Sequence, residues 1–223
     1  GADRAAFALG EARAARPSAP GLPAAPGTGA DPTPLRAVYV GGFLPLHGVE
    51  TVVAAASLLE ARRGPCFARF TLIGDGMTAH RADRDTAALG LRSVRRLPRV
   101  PYAEALAALA GADLALGIFG TTDKAGRVVP HKVYQALAIG VPVVTRRSPA
   151  VAEFFPSGEP PLALVPAGDP EALAEAIESL ALDPGRRDAL GASGRAAALR
   201  FATPEAVGAT LVEAIERARA GRR

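Results

Sequence analysis

From residue 36 onward, short runs that are apolar at every position alternate with longer segments whose apolar residues recur every three or four positions. The first run, "AVYVGG", ends in glycines, and "VETVVAAASLLEAR" follows at helical spacing. "FARFTLIGDG" is a second run, closed by a Gly-x-Gly turn. The same reading gives a helix over 78–89, a strand over 93–97 and a helix over "YAEALAALAG". A strand in "ADLALGIF", a helix over 130–139 and strands in "PVVT" and "LALV" come next. Strands without a polar face need helices on both sides of their sheet. About six of them, separated by helices, predict an α/β fold with a doubly wound parallel sheet. After Asp169 the pattern is helical only, over 170–181, 185–200 and 204–219. "DPEA" and "TPEA" begin two of these helices with a capping side chain, a proline in the first turn and an early glutamate.

Residues 14–35, "AARPSAPGLPAAPGTGADPTPL", hold six prolines and neither period. Residues 1–35 therefore read as a flexible Pro/Ala/Gly-rich linker and 36–223 as the folded domain. A hydrophobic share of 49% and a charged share of 22% are those of a globular protein. The formal charge of +4 slightly favours anionic ligands, but no dense basic block or aromatic ladder points to nucleic acid. Of the 26 basic residues only Lys124 and Lys132 are lysines. The single cysteine, Cys66, cannot pair within the chain, which fits a reducing compartment, and is expected to be a small buried apolar group. No apolar stretch reaches the roughly 20 residues of a membrane span. Charges from Asp3 onward do not fit a signal peptide, so a cytoplasmic location is expected.

In an open parallel sheet the ligand crevice lies beyond the carboxyl ends of the strands. That directs attention to four strand-to-helix loops: 41–48, 74–78, 99–102 and 117–132. Glycines 41, 42 and 48 allow backbone to approach a ligand, and Gly48 with His47 beside it opens a helix. Glycine spacing by itself is weak evidence, and taken alone these residues are better described as a tight turn with an incidental histidine. "LIGDGM" lacks the third glycine of a dinucleotide fingerprint, so Gly74 and Gly76 read as a turn with Asp75 exposed at the rim. The sharpest signal is the loop that carries Lys124, Arg127, His131 and Lys132 into a helix at Pro130. Unpaired amides of a first helical turn, with a basic side chain beside them, make a phosphate site. A solvated basic loop is the alternative. Gln135 lies one turn beyond Lys132, on the same helix face, where it could meet a sugar hydroxyl. No nucleophile triad, zinc cluster or carboxylate pair is evident, so catalytic residues are not assigned and no metal or other cofactor is expected.

These segments, in this order, resemble the C-terminal, nucleotide-sugar-binding domain of retaining GT-B glycosyltransferases of the large group 1 family. The resemblance runs over about residues 36–215. Its specific parts are "KVYQALAIGVPVV", similar to the family's Glu-Ala-x-Ala-x-Gly-x-Pro-Val-Val segment, and "PAGDPEALAEAI" after the last strand. "GADRAAF" at the start is similar to the family's segment at the crossing between its two domains, so the chain is expected to begin at an interdomain hinge.

The resemblance implies a Rossmann-like half of a GT-B fold that binds a nucleoside-diphosphate sugar. The acceptor, a saccharide or a lipid-linked group, would be held largely by an N-terminal GT-B domain outside this chain. Transfer would retain anomeric configuration, and the isolated chain would be inactive. Membrane attachment of a full-length enzyme is left open. In the family an arginine and a lysine of the first loop hold the diphosphate, and here Gly42 and His47 take those places. The ribose-binding glutamate matches Gln135, and its partner eight positions earlier matches Arg127, a reversal of charge. Backbone around Arg99 and Val100 would meet the base. The diphosphate set is then Gly42, His47, Gly48, Lys124, Arg127, His131 and Lys132, with Arg99, Val100 and Gln135 for the nucleoside. Alternatives are a non-catalytic nucleotide-sugar-binding module, or a GT-B relative such as a sugar-nucleotide epimerase or phosphorylase.

Overall fold

The computed structural model describes residues 2–14, 33–155 and 160–220. Helix α1 (Arg4–Ala14) precedes β1 (Leu35–Val40), α2 (Val49–Arg63), β2 (Ala68–Ile73) and α3 (Ala79–Ala88). Then come β3 (Val94–Leu97), α4 (Tyr102–Ala110), β4 (Leu114–Leu116), the short α5 (Asp123–Gly126) and α6 (His131–Ile139). Strand β5 (Val143–Arg146), α7 (Pro149–Phe154), β6 (Ala163–Val165), α8 (Pro170–Leu182), α9 (Pro184–Phe201) and α10 (Pro204–Ala220) complete the order.

The six strands pair in the order β3-β2-β1-β4-β5-β6, all parallel. The chain winds outward from β1 to β3, returns to lay β4 against β1, and winds outward again. The switch point therefore lies between β1 and β4, where consecutive loops leave in opposite directions and open a crevice. Continuous apolar strands make this possible: Leu114, Ala115 and Leu116 of β4 are all buried, as are Val143 and Val144 of β5. One face of the sheet packs under α2, α3 and α8 through Phe70, Leu72, Leu59 and Ile177. The other packs under α1, α4, α6 and α9 through Val38, Leu106, Leu137 and Ala198.

Several expectations are corrected. Residues 4–14, assigned to a hinge and linker, form a helix that packs on α6, with Ala6 and Gly10 buried. Its Ala/Gly/Arg composition carries almost no apolar period, and its seat depends on small residues fitting close to α6. Residues 15–32, the bulk of the expected linker, lie outside the described residues. The loop over 117–132 contains α5, whose cap, Thr122 Oγ1, accepts from the Ala125 amide. Residues 149–154 form a helix behind the cap Ser148, where the sequence reading had none. Cys66 is exposed, because it falls in the turn between α2 and β2 and not on either element. Pro130 stands one residue outside α6 as its extended N-cap, with ψ 151°.

Candidate functional site

The loops after β1 and β4 meet at the switch point. Gly48 opens α2 at φ 62°, and a Cβ there would stand 2.4 Å from the Gly120 amide nitrogen, so only glycine fits. The Phe119 amide donates to the His47 carbonyl at 2.9 Å, tying the two loops together. The loop after β2 joins them, since the Phe43 amide donates to the Asp75 carbonyl at 2.9 Å. Helices α2, α3, α4 and α6 begin at this edge with no side-chain cap, whereas α7 and α8 are capped by Ser148 and Asp169. First-turn amides at the switch point are thus left without side-chain acceptors.

Into this junction α6 delivers Lys132. The residue is only 8% exposed. Its Nζ makes no hydrogen bond and lies 3.5 Å from the centre of the Tyr39 ring. The amine reaches there because Gly41 has no side chain: a Cβ on Gly41 would stand 2.8 Å from Nζ. Burial holds the amine's pKa well below its usual value. Glu50 on α2 has a carboxylate oxygen, Oε2, that is also buried without a partner.

His47 is half-buried beneath this point. The Tyr39 hydroxyl donates to the Gly42 carbonyl at 2.7 Å, and His47 Nδ1 lies 2.9 Å from the same hydroxyl and in contact with the same carbonyl. Since the carbonyl can only accept, Nδ1 carries the proton and Nε2 is the free acceptor. Burial first, and then the charge of Lys132, lower the His47 pKa, against the bond to Gly42. Burial, and secondarily Glu50, raise that of the Tyr39 phenol. A neutral imidazole and an un-ionised phenol thus fix the Gly42 carbonyl. In this arrangement Nδ1 of His47 shapes the loop.

Gln135 is buried one turn along α6. Its Nε2 donates to the Tyr102 hydroxyl at 2.7 Å, and that hydroxyl donates to Asp3, just ahead of α1. Arg99 is exposed and Val100 half-buried, beside a cavity of about 70 Å³ that also touches Gly41, Gly42, Gly74 and Asp75. The fold therefore gathers Gly42, His47, Gly48 and Lys132 at the switch point, with Gln135 one turn along α6 beside Tyr102 and with Arg99 and Val100 on the β2 side. Lys124, Arg127 and His131 are exposed, and the Arg127 guanidinium is engaged by Asp123. They stand on the loop and the first position of α6, with no bond to Lys132. Among the described residues no group of three His, Cys, Asp or Glu could hold a metal ion. No helix among them is long and apolar enough to cross a membrane.

Tyr39, Tyr102, Asp3 and Glu50 escaped the sequence reading. Tyr39 sits in an apolar strand and reads as core. Only Asp3 left a local signal, as a cap whose Oδ1 accepts from the Ala6 amide at 3.0 Å. A larger cavity, about 470 Å³, opens at the opposite edge of the sheet. Its Arg36 is paired with Asp113, while Arg187 and Arg195 donate to backbone carbonyls of α8 and α6.

Comparison with known proteins agrees with this geometry. A family model described as "Glycosyl transferase-like" matches residues 52–213. No curated protein matches the sequence. Among solved structures, Anabaena HepE in complex with UDP-glucose is 16% identical with a TM-score of 0.68, over 82% of this chain and 49% of that one. Sucrose-phosphate synthase from Thermosynechococcus elongatus is 21% identical with a TM-score of 0.68, over 96% and 49%. The C-terminal domain of a glycosyl transferase group 1 family protein (LpcC) from Francisella tularensis is 14% identical with a TM-score of 0.64, over 76% and 87%. The chain thus spans about half the length of the first two and most of the isolated domain of the third. With its six parallel strands, its crevice between β1 and β4, and a family match over most of its length, the chain belongs to the glycosyl transferase-like family and has the Rossmann-like fold of GT-B glycosyltransferase domains.

Proposed function

We propose that the chain is the donor-binding half of a glycosyltransferase that moves a sugar from a nucleoside-diphosphate sugar to an acceptor with retention of configuration. The observation that carries this reading is Lys132: an amine buried without a partner at the switch point, beside the uncapped starts of α2 and α6. A diphosphate would supply the acceptors that Nζ lacks, and the first-turn amides would take further oxygens. Each charge-assisted contact of this kind contributes about 1.5–3 kcal/mol. Lysine, a compact point charge, suits a single phosphate oxygen better than a flat guanidinium does.

On this reading the glycosidic bond to the diphosphate breaks, and the diphosphate departs with the bonding electron pair. The acceptor oxygen bonds to the anomeric carbon and passes its proton to an oxygen of the departing diphosphate. Lys132 and the helix amides stabilise the leaving diphosphate as its charge develops. Lys124 and Arg127 approach from the loop, Gln135 takes a ribose hydroxyl, and backbone at Arg99 and Val100 meets the base. The acceptor, a saccharide or lipid-linked group, is held by an N-terminal GT-B domain, and the protein works in the cytoplasm. HepE, whose fold this chain shares, has been solved with UDP and with UDP-glucose, which makes UDP the first probe.

Calorimetric titration of UDP, GDP and ADP tests the reading. Binding of at least one nucleoside diphosphate is expected, unaltered by a chelator. No binding at millimolar concentration would remove the donor site. Nucleotide binding without transfer, once an N-terminal domain is supplied, would favour a non-catalytic binding module. Lys132→Ala should weaken diphosphate binding far more than nucleoside binding.

A further inference from the structure

Gln135 sits where a carboxylate is expected, and the two are not equivalent acceptors. A carboxylate accepts through either oxygen, whereas a primary amide accepts through one end and donates through the other. Which end of Gln135 is taken by its protein partner therefore decides whether the other end can accept from a ribose hydroxyl. The structure contains a device that decides it. The Tyr102 hydroxyl gives its only proton to Asp3 Oδ2, so its oxygen can only accept from Gln135. The end of Gln135 that faces Tyr102 must then be Nε2, which lies 2.7 Å from the hydroxyl. Oε1 is left as the end turned away from Tyr102.

Asp3 is itself fixed. Its Oδ1 accepts from the Ala6 amide at 3.0 Å, and α1 packs against α6 and α4. Burial alone would raise its pKa, but the bonds from Tyr102 and the α1 backbone, with the charge of His131, hold it below the usual carboxylate value. Asp3 thus stays an acceptor at neutral pH. Tyr102 is about half exposed, but the partial burial of its phenol, and then the bond to Asp3, push it up to about 12, so its proton stays in place. Asp3 precedes α1, Tyr102 begins α4 and Gln135 lies on α6, with 99 and 33 residues separating them along the chain.

We propose that Tyr102, set by Asp3, is a positioning residue that orients the Gln135 amide and makes it serve as a nucleoside-hydroxyl acceptor in place of a carboxylate. This rests on the donor-site reading above. It adds that specificity for the nucleoside half of the ligand passes through a residue that need not touch it. The relay also selects glutamine over glutamate. After Gln135→Glu the phenol would have one proton for two carboxylates, whereas the native glutamine leaves that proton to Asp3.

The test compares wild type, Tyr102→Phe, Gln135→Glu and the double variant by calorimetric titration with UDP and, separately, with inorganic pyrophosphate. Tyr102→Phe should weaken UDP about five- to tenfold, the worth of one oriented hydrogen bond, and leave pyrophosphate unchanged. Adding Gln135→Glu to Tyr102→Phe should restore UDP affinity to within about twofold of wild type, because a carboxylate needs no orienting partner. A purely structural role for Tyr102 predicts no such rescue. Tyr102→Phe should also move the Gln135 side-chain amide resonances in the ligand-free protein.

UDP affinity that is equal in wild type and Tyr102→Phe would overturn the proposal and leave the donor site standing. Equal losses for UDP and pyrophosphate, or a double variant no tighter than Tyr102→Phe, would also overturn it. Wild type that binds neither probe would instead sink the donor site itself, and this proposal with it. Unmoved Gln135 amide resonances would remove the hydrogen bond whatever the titrations give.

Discussion

Replacing Lys132 by methionine separates what the residue costs from what it does. The side chain is buried, and Nζ faces the Tyr39 ring at 3.5 Å with no acceptor. A buried polar group left unsatisfied costs about 1–3 kcal/mol. Methionine keeps the length and burial of the stem and sets a thioether against the same ring, a contact of about 0.3–1.5 kcal/mol that stands in for the cation–π contact it removes. Lys132→Met should therefore stabilise the ligand-free protein. With about 2 kcal/mol as the middle of the first range, a chain of this size gains about 4–8 °C in Tm. The same change removes one charge-assisted contact to a diphosphate, which weakens pyrophosphate about 10- to 150-fold. Stability and binding move in opposite directions, which simple damage to the fold would not produce.

The pH dependence has a definite sign. Burial depresses the folded pKa of this amine below its ordinary value of 10.5. Between the two values the unfolded chain binds the additional proton, so wild-type stability rises with pH across that window. Below the folded pKa the native state carries a buried cation with no hydrogen-bond acceptor, and the penalty is complete. The Tm advantage of Lys132→Met should thus be largest at low pH and shrink as pH climbs towards 10.5. Thermal melts of both proteins across pH, with pyrophosphate titrations at neutral pH, check each part. A variant that melts at or below wild type near pH 7 would refute the uncompensated-amine argument. Undiminished pyrophosphate affinity would take Lys132 out of the anion site.

Gly41→Ala forces a Cβ to within 2.8 Å of Lys132 Nζ at a backbone φ of +148°, and should cost about 1–3 kcal/mol in urea melts while also weakening pyrophosphate. Asp113 receives three hydrogen bonds from Arg36, which outweigh burial and hold its pKa down. Asp113→Asn should cost about 1–2 kcal/mol near neutral pH. That difference is present above the ordinary Asp value and fades as pH falls through the depressed one; a gap that stayed constant to low pH would contradict the ion pair. Arg127→Ala removes an exposed pair with Asp123 and should change stability by no more than about 0.5 kcal/mol, so any loss of diphosphate affinity reports on the loop directly.

The sheet was legible because buried parallel strands announce themselves as unbroken apolar runs, and the helices by a period of three to four. "LALG", "PVVT" and "LALV" needed no tertiary information. Helix α1 needed all of it: Ala6 and Gly10 are buried only because α6 lies against them. The site divides in the same way. Gly48 and Lys132 could be found because a turn, a helix start and a charge coincide within a few residues. Tyr39 could not, because the role of its hydroxyl depends on His47 folding back over it. Nor could Tyr102, whose partners lie 99 residues before it and 33 after.

The resemblance placed cationic side chains in the loop after β1, where this chain has Gly42 and His47. In the structure Lys132 comes from the far side of the switch point, through the gap that Gly41 leaves, and its Nζ ends over the ring of a β1 residue. On the proposed function, the charge is supplied by α6 rather than by the loop itself. His47, whose Nδ1 holds the Gly42 carbonyl, is kept neutral by burial first and by Lys132 second. A Cβ at Gly42 would have room, its nearest neighbours being Leu44 at 3.6 Å and the Asp75 carbonyl at 3.9 Å. On the proposed function both positions serve one diphosphate, so Gly42→Arg should improve diphosphate binding more when Lys132 is also replaced by methionine. Equal gains in both backgrounds would mean that the two positions address different oxygens.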